Sequence, residues 1–327
     1  MFRIIDKRDL AKDITKIVVE APQIAKKAKA GQFVVVIVDE KGERIPLTLA
    51  DWDKNKGTIS LIFQKVGYTT KRLGTLNIGD NIQHILGPLG HPTETNPSTL
   101  LKIDGERPST SLEDRTLSER SESNGRSRTT KNMDTVICIG GGVGIAEVYP
   151  VSRAFKEAGN RVMGIIGARS KDLLILEKEM KEVCEELFIT TDDGSYGEKG
   201  FVSDVLKKIL NGQTGKWFDR LTIPRTIPGK VEGRANGQTN LVYAIGPVLM
   251  MKAVSLLTKD YKIKTIVSLN SIMVDATGMC GSCRCTVDGK TVFGCVDGPD
   301  FDGHQVNFEE LEKRLNLFRA QEESLRQ

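Results

Sequence analysis

The sequence predicts a chain in three parts: an N-terminal antiparallel β-barrel, an α/β domain built on a parallel sheet, and a small cysteine-rich segment near the C-terminus. Three observations lead there. Short β-rich runs recur through residues 1–92, strand and helix patterns alternate from Asp134 onward, and four of the six cysteines fall between Cys280 and Cys295.

The barrel comes from Phe2–Asp6, Ile14–Glu20, Gln32–Val38, Thr58–Gln64 and Asn81–Leu86. Turn clusters such as Asp39-Glu-Lys-Gly42 and Asn77-Ile-Gly-Asp80 lie between these runs, and short strands so spaced suit a small barrel or sandwich. Residues 93–132 then lose all periodicity. Ser, Thr, Arg and Glu dominate there, which predicts a polar, mobile insertion with no packed core of its own.

From 133 to 270 the texture is strand, helix, strand. Thr135–Ile139, Arg161–Ile166, Leu187–Thr190, Leu241–Ile245 and Thr265–Ser268 read as strands; Val148–Ala158, Asp172–Glu186 and a segment from Pro247 read as helices. Such alternation predicts a parallel sheet with crossover helices. A loop insertion at about 211–240 interrupts it. Residues 271–307 hold the cysteines. In 308–327, Phe308, Leu311, Leu315 and Phe318 recur at helical spacing, so a C-terminal helix should pack on the body of the protein.

Composition narrows the function classes. A chain of 327 residues with 28% charged residues and a net charge of +4 has room for two or three domains, and shows no basic clustering of the kind a nucleic-acid partner needs. No apolar run is long enough to cross a bilayer, and the start MFRIIDKRDLAKDI puts charges where a signal peptide needs an apolar core. The expectation is a cytoplasmic protein with no membrane or nucleic-acid partner, whose thiols stay reduced.

Two kinds of chemistry stand out. Gly140-Gly-Gly-Val-Gly144 falls between the first strand and first helix of the α/β domain, where glycines let the backbone approach a pyrophosphate at a helix N-terminus. Gly141, Gly142 and Gly144 are the candidate contacts. The next strand ends at Arg169 with no acidic residue to grip a ribose 2′-hydroxyl, so NAD(H) and NADP(H) both stay open. Asp192 and Asp193, and Gly246 and Pro247, sit at the ends of two further strands, where open α/β sheets bind ligands; the aspartates equally suit a helix cap. In the second group, thiolates at C-x2-C spacing in a glycine-rich turn point to an iron–sulfur cluster or zinc. Zinc usually takes a second C-x2-C knuckle, and the lone late Cys295 fits that poorly.

Four motifs in one order carry a resemblance: Arg44-Ile-Pro46-Leu47-Thr48, Val66-Gly67-Tyr-Thr69-Thr70, Gly87-Pro88-Leu89-Gly90, and SLNSIMVDATGMCGSCR. With the GGGVG turn they resemble the ferredoxin–NADP reductase superfamily, in the branch of dihydroorotate dehydrogenase electron-transfer subunits. Within that branch the chain is most similar to small subunits of NADH-dependent reduced ferredoxin:NADP oxidoreductases. The resemblance implies FAD in the barrel, a nicotinamide nucleotide on the sheet and a 2Fe-2S cluster in the C-terminal segment. It also implies a larger partner subunit with its own FAD and 4Fe-4S clusters, and ferredoxin served through that complex. Arg44, Pro46, Leu47 and Thr48 would line the flavin; Gly67, Thr69 and Thr70 would hold its phosphates; Gly87 and Gly90 would lie along it. The superfamily's Arg-x-Tyr-Ser/Thr pattern is altered here, with the arginine one residue further back and the aromatic missing. Its Cys-Gly-Pro triplet is Ile245-Gly246-Pro247. The implied cluster ligands are Asp275, Cys280, Cys283 and Cys295, in D-x4-C-x2-C-x11-C spacing. A rival set replaces Asp275 with Cys285, and both stay open on sequence alone. The implied activity is electron bifurcation; an electron-transfer subunit of a dihydroorotate-oxidising complex and a relay without nucleotide binding are the alternatives.

Overall fold

The computed structural model describes residues 1–40, 42–97, 134–212 and 239–317. Most of the two inserts read from the sequence, 93–132 and 211–240, lies outside the described residues, as does Phe318.

Seven antiparallel strands make the first unit: β1 (Phe2–Ala11), β2 (Ile14–Glu20), β3 (Phe33–Ile37), β4 (Ile45–Asp53), β5 (Thr58–Gln64), β6 (Asn81–Ile82) and β7 (His84–Leu89), in the order β6-β1-β2-β5-β4-β3-β7. Its two edges are consecutive strands separated only by Gln83, so the sheet curls back on itself into a near-closed barrel. Alternation explains its core: Ile59, Leu61 and Phe63 of β5 point into the barrel with Ile17, Val19 and Leu49. Ile62, on the other face of the same strand, joins Ile14, Ala30 and Ala50 against the α/β domain. β5 is thus covered on both sides, which is why Leu61-Ile62-Phe63 are apolar in succession. Two short helices, α1 (Pro22–Lys27) and α2 (Tyr68–Thr75), complete the unit.

The second sheet contains β8 (Thr135–Gly141), β9 (Arg161–Ala168), β10 (Glu186–Thr191), β11 (Glu198–Lys199), β12 (Thr239–Ile245), β13 (Thr265–Ser268) and β16 (Asp300–Asp302), in the order β11-β10-β9-β8-β12-β13-β16. All neighbours are parallel except β16, which closes the edge antiparallel to β13. Helices α3 (Ile145–Glu157) and α4 (Glu177–Val183) cover one face, together with the barrel. α5 (Val202–Leu210), α6 (Val248–Asp260) and α7 (Phe308–Leu315) cover the other. In α3, Val148, Val151 and Phe155 repeat at helical spacing and are fully buried; each contributes about 1.5–3 kcal/mol through burial. Phe308 and Leu311 of α7 are buried on the sheet domain, so the C-terminal stripe packs on the body as expected.

One expected helix is wrong. Asp172–Glu186 was to be continuous, but Lys171–Leu173 forms a single 3₁₀ turn and Leu176 takes a left-handed φ of 55° before α4 starts at Glu177. The run Leu173-Leu-Ile-Leu176 has no helical period: Ile175 and Leu176 go into the core from an extended stretch.

The cysteine-rich segment runs as an irregular loop into the hairpin β14 (Arg284–Val287) and β15 (Lys290–Phe293).

Candidate functional site

Strand order reverses at β8. From it the chain proceeds outward through β9 and β10, then returns to lay β12 and β13 on the other side. That reversal makes a crevice at the carboxyl ends of β8 and β12, the place where open α/β sheets bind ligands. The two glycine motifs meet there. Gly144 approaches the end of β12 so closely that an added Cβ would fall 2.6 Å from the Ile245 carbonyl oxygen. Gly142 has a left-handed φ of 57° with nothing beside it, which leaves that backbone open towards the crevice. Gly141 lies against Pro247 and Met250. Pro247 precedes the first residue of α6, and the Gly142–Gly144 turn leads directly into α3. Two helix N-termini therefore face one cleft.

Arg169 is exposed just past the tip of β9. Asp192 and Asp193 fold back on it: their amides bond to the carbonyls of Ala168 and Arg169 at 3.1 and 3.2 Å. Asp193 accepts from the Ser195 amide at 2.9 Å, and its hydrogen bonds with Ser195 hold its carboxyl below the usual range. Neither aspartate caps the next helix; Asp204 does that for α5 by accepting from the Phe201 amide.

On the barrel, Glu43 accepts a 2.8 Å hydrogen bond from Thr69, joining the entry of β4 to the N-terminus of α2. This brings Arg44 and Gly67–Thr70 to one side of the molecule. Thr70 closes the turn on Gly67 through its hydroxyl, which accepts from the Gly67 amide at 3.0 Å. Gly87 is within β7 against Val34, and Gly90 packs between Phe33 and Pro299. Pro46, Leu47 and Thr48 sit in β4 opposite Val35, Val34 and Phe33 of β3.

Thr48 leads to a residue the sequence reading missed. Its hydroxyl donates to Glu147 Oε2 at 2.9 Å, and Ser268 donates to Oε1 at 2.5 Å. Glu147 stands in the first turn of α3 and is 9% exposed. Burial pushes its carboxyl up to about 7, against the two hydrogen bonds, with Asp300 adding repulsion. From sequence, a glutamate in a first helical turn reads as a complement to the helix dipole on the surface. Nothing local says that a barrel covers it.

The cysteine loop packs on the barrel. Cys283, Cys295 and Ala276 share a small apolar cluster with Phe33 and Val35 of β3. The sulfurs of Cys283 and Cys295 are 3.2 Å apart. Cys280 is exposed; the Ser282 hydroxyl, then the amides of Ser282 and Asp275, bring its thiol down to about 7. Asp275 ion-pairs with Arg44 through Oδ1 and accepts from the Thr277 hydroxyl on Oδ2. Among the described residues no three His, Cys, Asp or Glu side chains gather around one point. What the loop offers is the Cys283–Cys295 pair and, beside it in sequence, the Cys280 thiol bonded by the Asp275 amide; a four-ligand centre of two irons takes two protein donors at each. Anionic donors in pairs, on glycine turns, fit a 2Fe-2S cluster. Cys285 lies elsewhere: it is buried in the large core beneath β12 and α7, and burial pushes its thiol up to about 12. Cys138 and Cys184 are likewise core residues.

A near-closed barrel beside a nucleotide crevice, with a thiol loop docked on the barrel wall, defines a flavin-reductase architecture with an added iron–sulfur module. An Amycolatopsis cytochrome P450 reductase shares the fold, with a TM-score of 0.53 at 20% identity over 80% of this chain and 66% of its own. Residues 270–307 match the iron–sulfur cluster binding domain of dihydroorotate dehydrogenase B. A Thermotoga maritima homolog of the dihydroorotate dehydrogenase B (NAD(+)) electron transfer subunit is 38% identical over 98% of this chain and 92% of its own. A Clostridium beijerinckii protein encoded in an adh 3′ region is 42% identical over 98% and 92%. A chain from the structure of NADH-dependent reduced ferredoxin-NADP oxidoreductase, a study of flavin-based electron bifurcation, superimposes with a TM-score of 0.76 at 36% identity, covering 99% of this chain and 95% of that one. The chain belongs to the dihydroorotate dehydrogenase B electron-transfer subunit family and is an oxidoreductase subunit. Among the described residues no helix is long and apolar enough to cross a membrane.

Proposed function

We propose that this chain is the flavin and iron–sulfur subunit of an electron-bifurcating NADH-dependent reduced ferredoxin:NADP oxidoreductase, working with a larger flavin and 4Fe-4S subunit. The observation that carries the reading is the likeness, over 99% of the chain, to a chain of that enzyme's structure. Asp275 agrees with it, as a carboxylate standing on the cysteine loop while Cys285 is turned into the core. FAD would exchange hydride with a nicotinamide and single electrons with a 2Fe-2S cluster; the cofactors supply that chemistry and the protein supplies placement.

Each part of the chain has its task in this reading. Residues 1–92 hold the flavin, 133–270 the nucleotide and 271–307 the cluster, and the helix Phe308–Leu315 in the C-terminal part 308–327 packs beside the cluster hairpin. Thr48 offers its hydroxyl to the flavin ring beside Pro46 and Leu47. Arg44 and the α2 N-terminus at Gly67–Thr70 meet the pyrophosphate, Thr69 and Thr70 by backbone, since their hydroxyls donate to Glu43 and to the Gly67 carbonyl. Gly87 and Gly90 keep the β7 edge clear of side chains. On the sheet, Gly141, Gly142 and Gly144 present backbone amides to NAD(H), Gly246 and Pro247 form the opposite lip, and Arg169, Asp192 and Asp193 frame the ribose end. Asp275, Cys280, Cys283 and Cys295 hold the cluster against Phe33 and Val35.

The second reading is an electron-transfer subunit of a dihydroorotate-oxidising enzyme, the name carried by several relatives at 25–27% identity. Purification without oxygen, with iron, sulfide and flavin counted and the partner identified, separates the two. The proposal expects one FAD and one 2Fe-2S cluster on this chain, flavin bleaching by NADH, and a partner that reduces ferredoxin. Dihydroorotate-dependent reduction of the complex would overturn it in favour of the second reading. A flavin that NADH does not bleach would leave only an electron relay.

A further inference from the structure

Five buried side-chain oxygens have no hydrogen-bond partner among the described residues: those of Thr135, Ser152, Glu186, Ser255 and Ser271. The first four stand in strands and helices of the sheet domain. Ser271 alone belongs to the cysteine-rich segment, and it is 7% exposed. A hydroxyl taken out of water without a partner costs free energy, so a buried one left bare asks what it is there to meet.

Its surroundings narrow the answer. Ser271 Oγ lies over Gly294: an added Cβ there would fall 2.6 Å from the hydroxyl oxygen, with the Cys283 carbonyl oxygen and Met273 Cε next at 3.6 and 3.7 Å. Gly294 is not among the residues with positive φ, so what it provides is room rather than a turn. Its amide bonds to the Cys283 carbonyl at 3.1 Å, and the sulfur of its neighbour Cys295 is 3.2 Å from that of Cys283. The stretch carrying Ser271 is pinned by the Leu269 amide, which donates to the Pro299 carbonyl at 2.9 Å. The hydroxyl is thus fixed beside the two thiols that face each other. Elsewhere on the loop Ser282 stands in a comparable place, accepting from the Val274 amide at 3.1 Å and lying 3.1 Å from the Cys280 sulfur. Of these two hydroxyls near thiols, one already meets a sulfur and the other has none.

We propose that Ser271 tunes the iron–sulfur site: its hydroxyl donates a hydrogen bond to a cluster sulfur on the side of Cys283 and Cys295, and so raises the reduction potential. The inference rests on the reading that these two cysteines are ligands. Sulfurs of such a cluster are anionic acceptors, and hydrogen bonds to them are one of the levers on its potential. Reduction adds one negative charge, so a donor holds the reduced form more strongly than the oxidised one. A serine hydroxyl suits the task because its proton can rotate towards an acceptor while the backbone stays still. Burial gives the single bond weight, since little water is at hand to screen or replace it. Gly294 keeps the approach open, where any side chain would push the hydroxyl away. The result is a cluster that accepts electrons from the flavin more readily than its four ligands alone would make it.

The test is the midpoint potential of the cluster, followed by electron paramagnetic resonance in an anaerobic redox titration of the full chain. Ser271→Ala removes the hydroxyl and little else. At a fixed potential it should lower the ratio of reduced to oxidised cluster about tenfold, a fall of about 59 mV for one electron. Ser271→Thr keeps a hydroxyl and should titrate as the wild type does; a fall equal to that of Ser271→Ala would assign the effect to packing and overturn the proposal. A Ser271→Ala protein that keeps both its cluster and the wild-type potential also overturns it. If that variant loses the cluster, Gly294→Ala decides, because it displaces the hydroxyl without deleting it: a lowered potential supports the proposal and an unchanged one overturns it. The reading beneath is checked separately with Cys283→Ser. An intact visible iron–sulfur spectrum in that variant would show that the Cys283–Cys295 pair does not hold the cluster.

Discussion

Two ties join the barrel to the rest of the protein from neighbouring positions in β4 and its approach, and they differ in kind. Arg44 pairs with Asp275 at the rim, where the arginine side chain is 51% exposed. Four residues on, Thr48 meets Glu147 in a water-poor junction closed behind by Ser268. The first is an ion pair of opposite charges, the second a single carboxyl held by two hydroxyls, with no cation on it among the described residues. Strength does not follow charge. Solvent screens the exposed pair until it is worth little, whereas the lone buried carboxyl makes each of its hydrogen bonds matter. The rim tie sets where a loop sits, and the buried one sets a protonation state.

The largest effect should come from pH. Burial raises the Glu147 carboxyl from the ordinary 4.5 to about 7, so the folded protein binds this proton more tightly than the unfolded chain. The stability it contributes is fully present below about 4.5 and is lost as pH rises through about 7. Urea titrations from pH 5 to 8 should show the wild type losing about 1–3 kcal/mol relative to Glu147→Gln; parallel curves would remove Glu147 from the buried class. Next, Cys285→Ser places a hydroxyl in the large core and should cost about 1–2 kcal/mol. Its visible iron–sulfur spectrum should stay intact, and loss of that spectrum would make Cys285 a ligand. Asp275→Cys breaks the rim tie and should change stability by under about 1 kcal/mol. It should keep the cluster and move its reduction potential, because ligand type is a lever on potential. An unchanged potential would argue that Asp275 is not a ligand. Smallest of all, Arg44→Met should alter the unfolding midpoint by under about 1 kcal/mol, and a larger loss would mean that the rim pair is as buried in effect as Glu147.

Much of this was legible beforehand. Ile14–Glu20, Thr58–Gln64 and Thr265–Ser268 form strands with the bounds the β-rich runs predict. β4 escaped notice because Pro46 forbids a strand flanked on both sides. At Pro46, however, β4 pairs with β3 alone, and β5 joins only from Leu49 onward. The four motif segments were visible one by one. Their meeting was not: Glu43 with Thr69, Arg44 with Asp275 and Thr48 with Glu147 are contacts between parts of the chain that no local pattern relates. The separation of Cys283 from Cys285 into different cores was equally hidden, since two residues apart in an incipient strand suggests a shared face. The turn from Gly281 to Arg284 leaves Cys283 outside β14, and the two join different clusters.

The register of β3 on β4 has a further consequence. Phe33 is the cross-strand partner of Thr48, and the same Phe33 packs in the cluster of Cys283 and Cys295. Adjacent strands lie about 4.8 Å apart. In the proposed reading, with the flavin against Thr48 and the cluster held by Cys295, Phe33 would stand between the two sites. Electrons passing between those sites would need no chain of further carriers, and the barrel side of their route is fixed by the backbone pairing of β3 with β4.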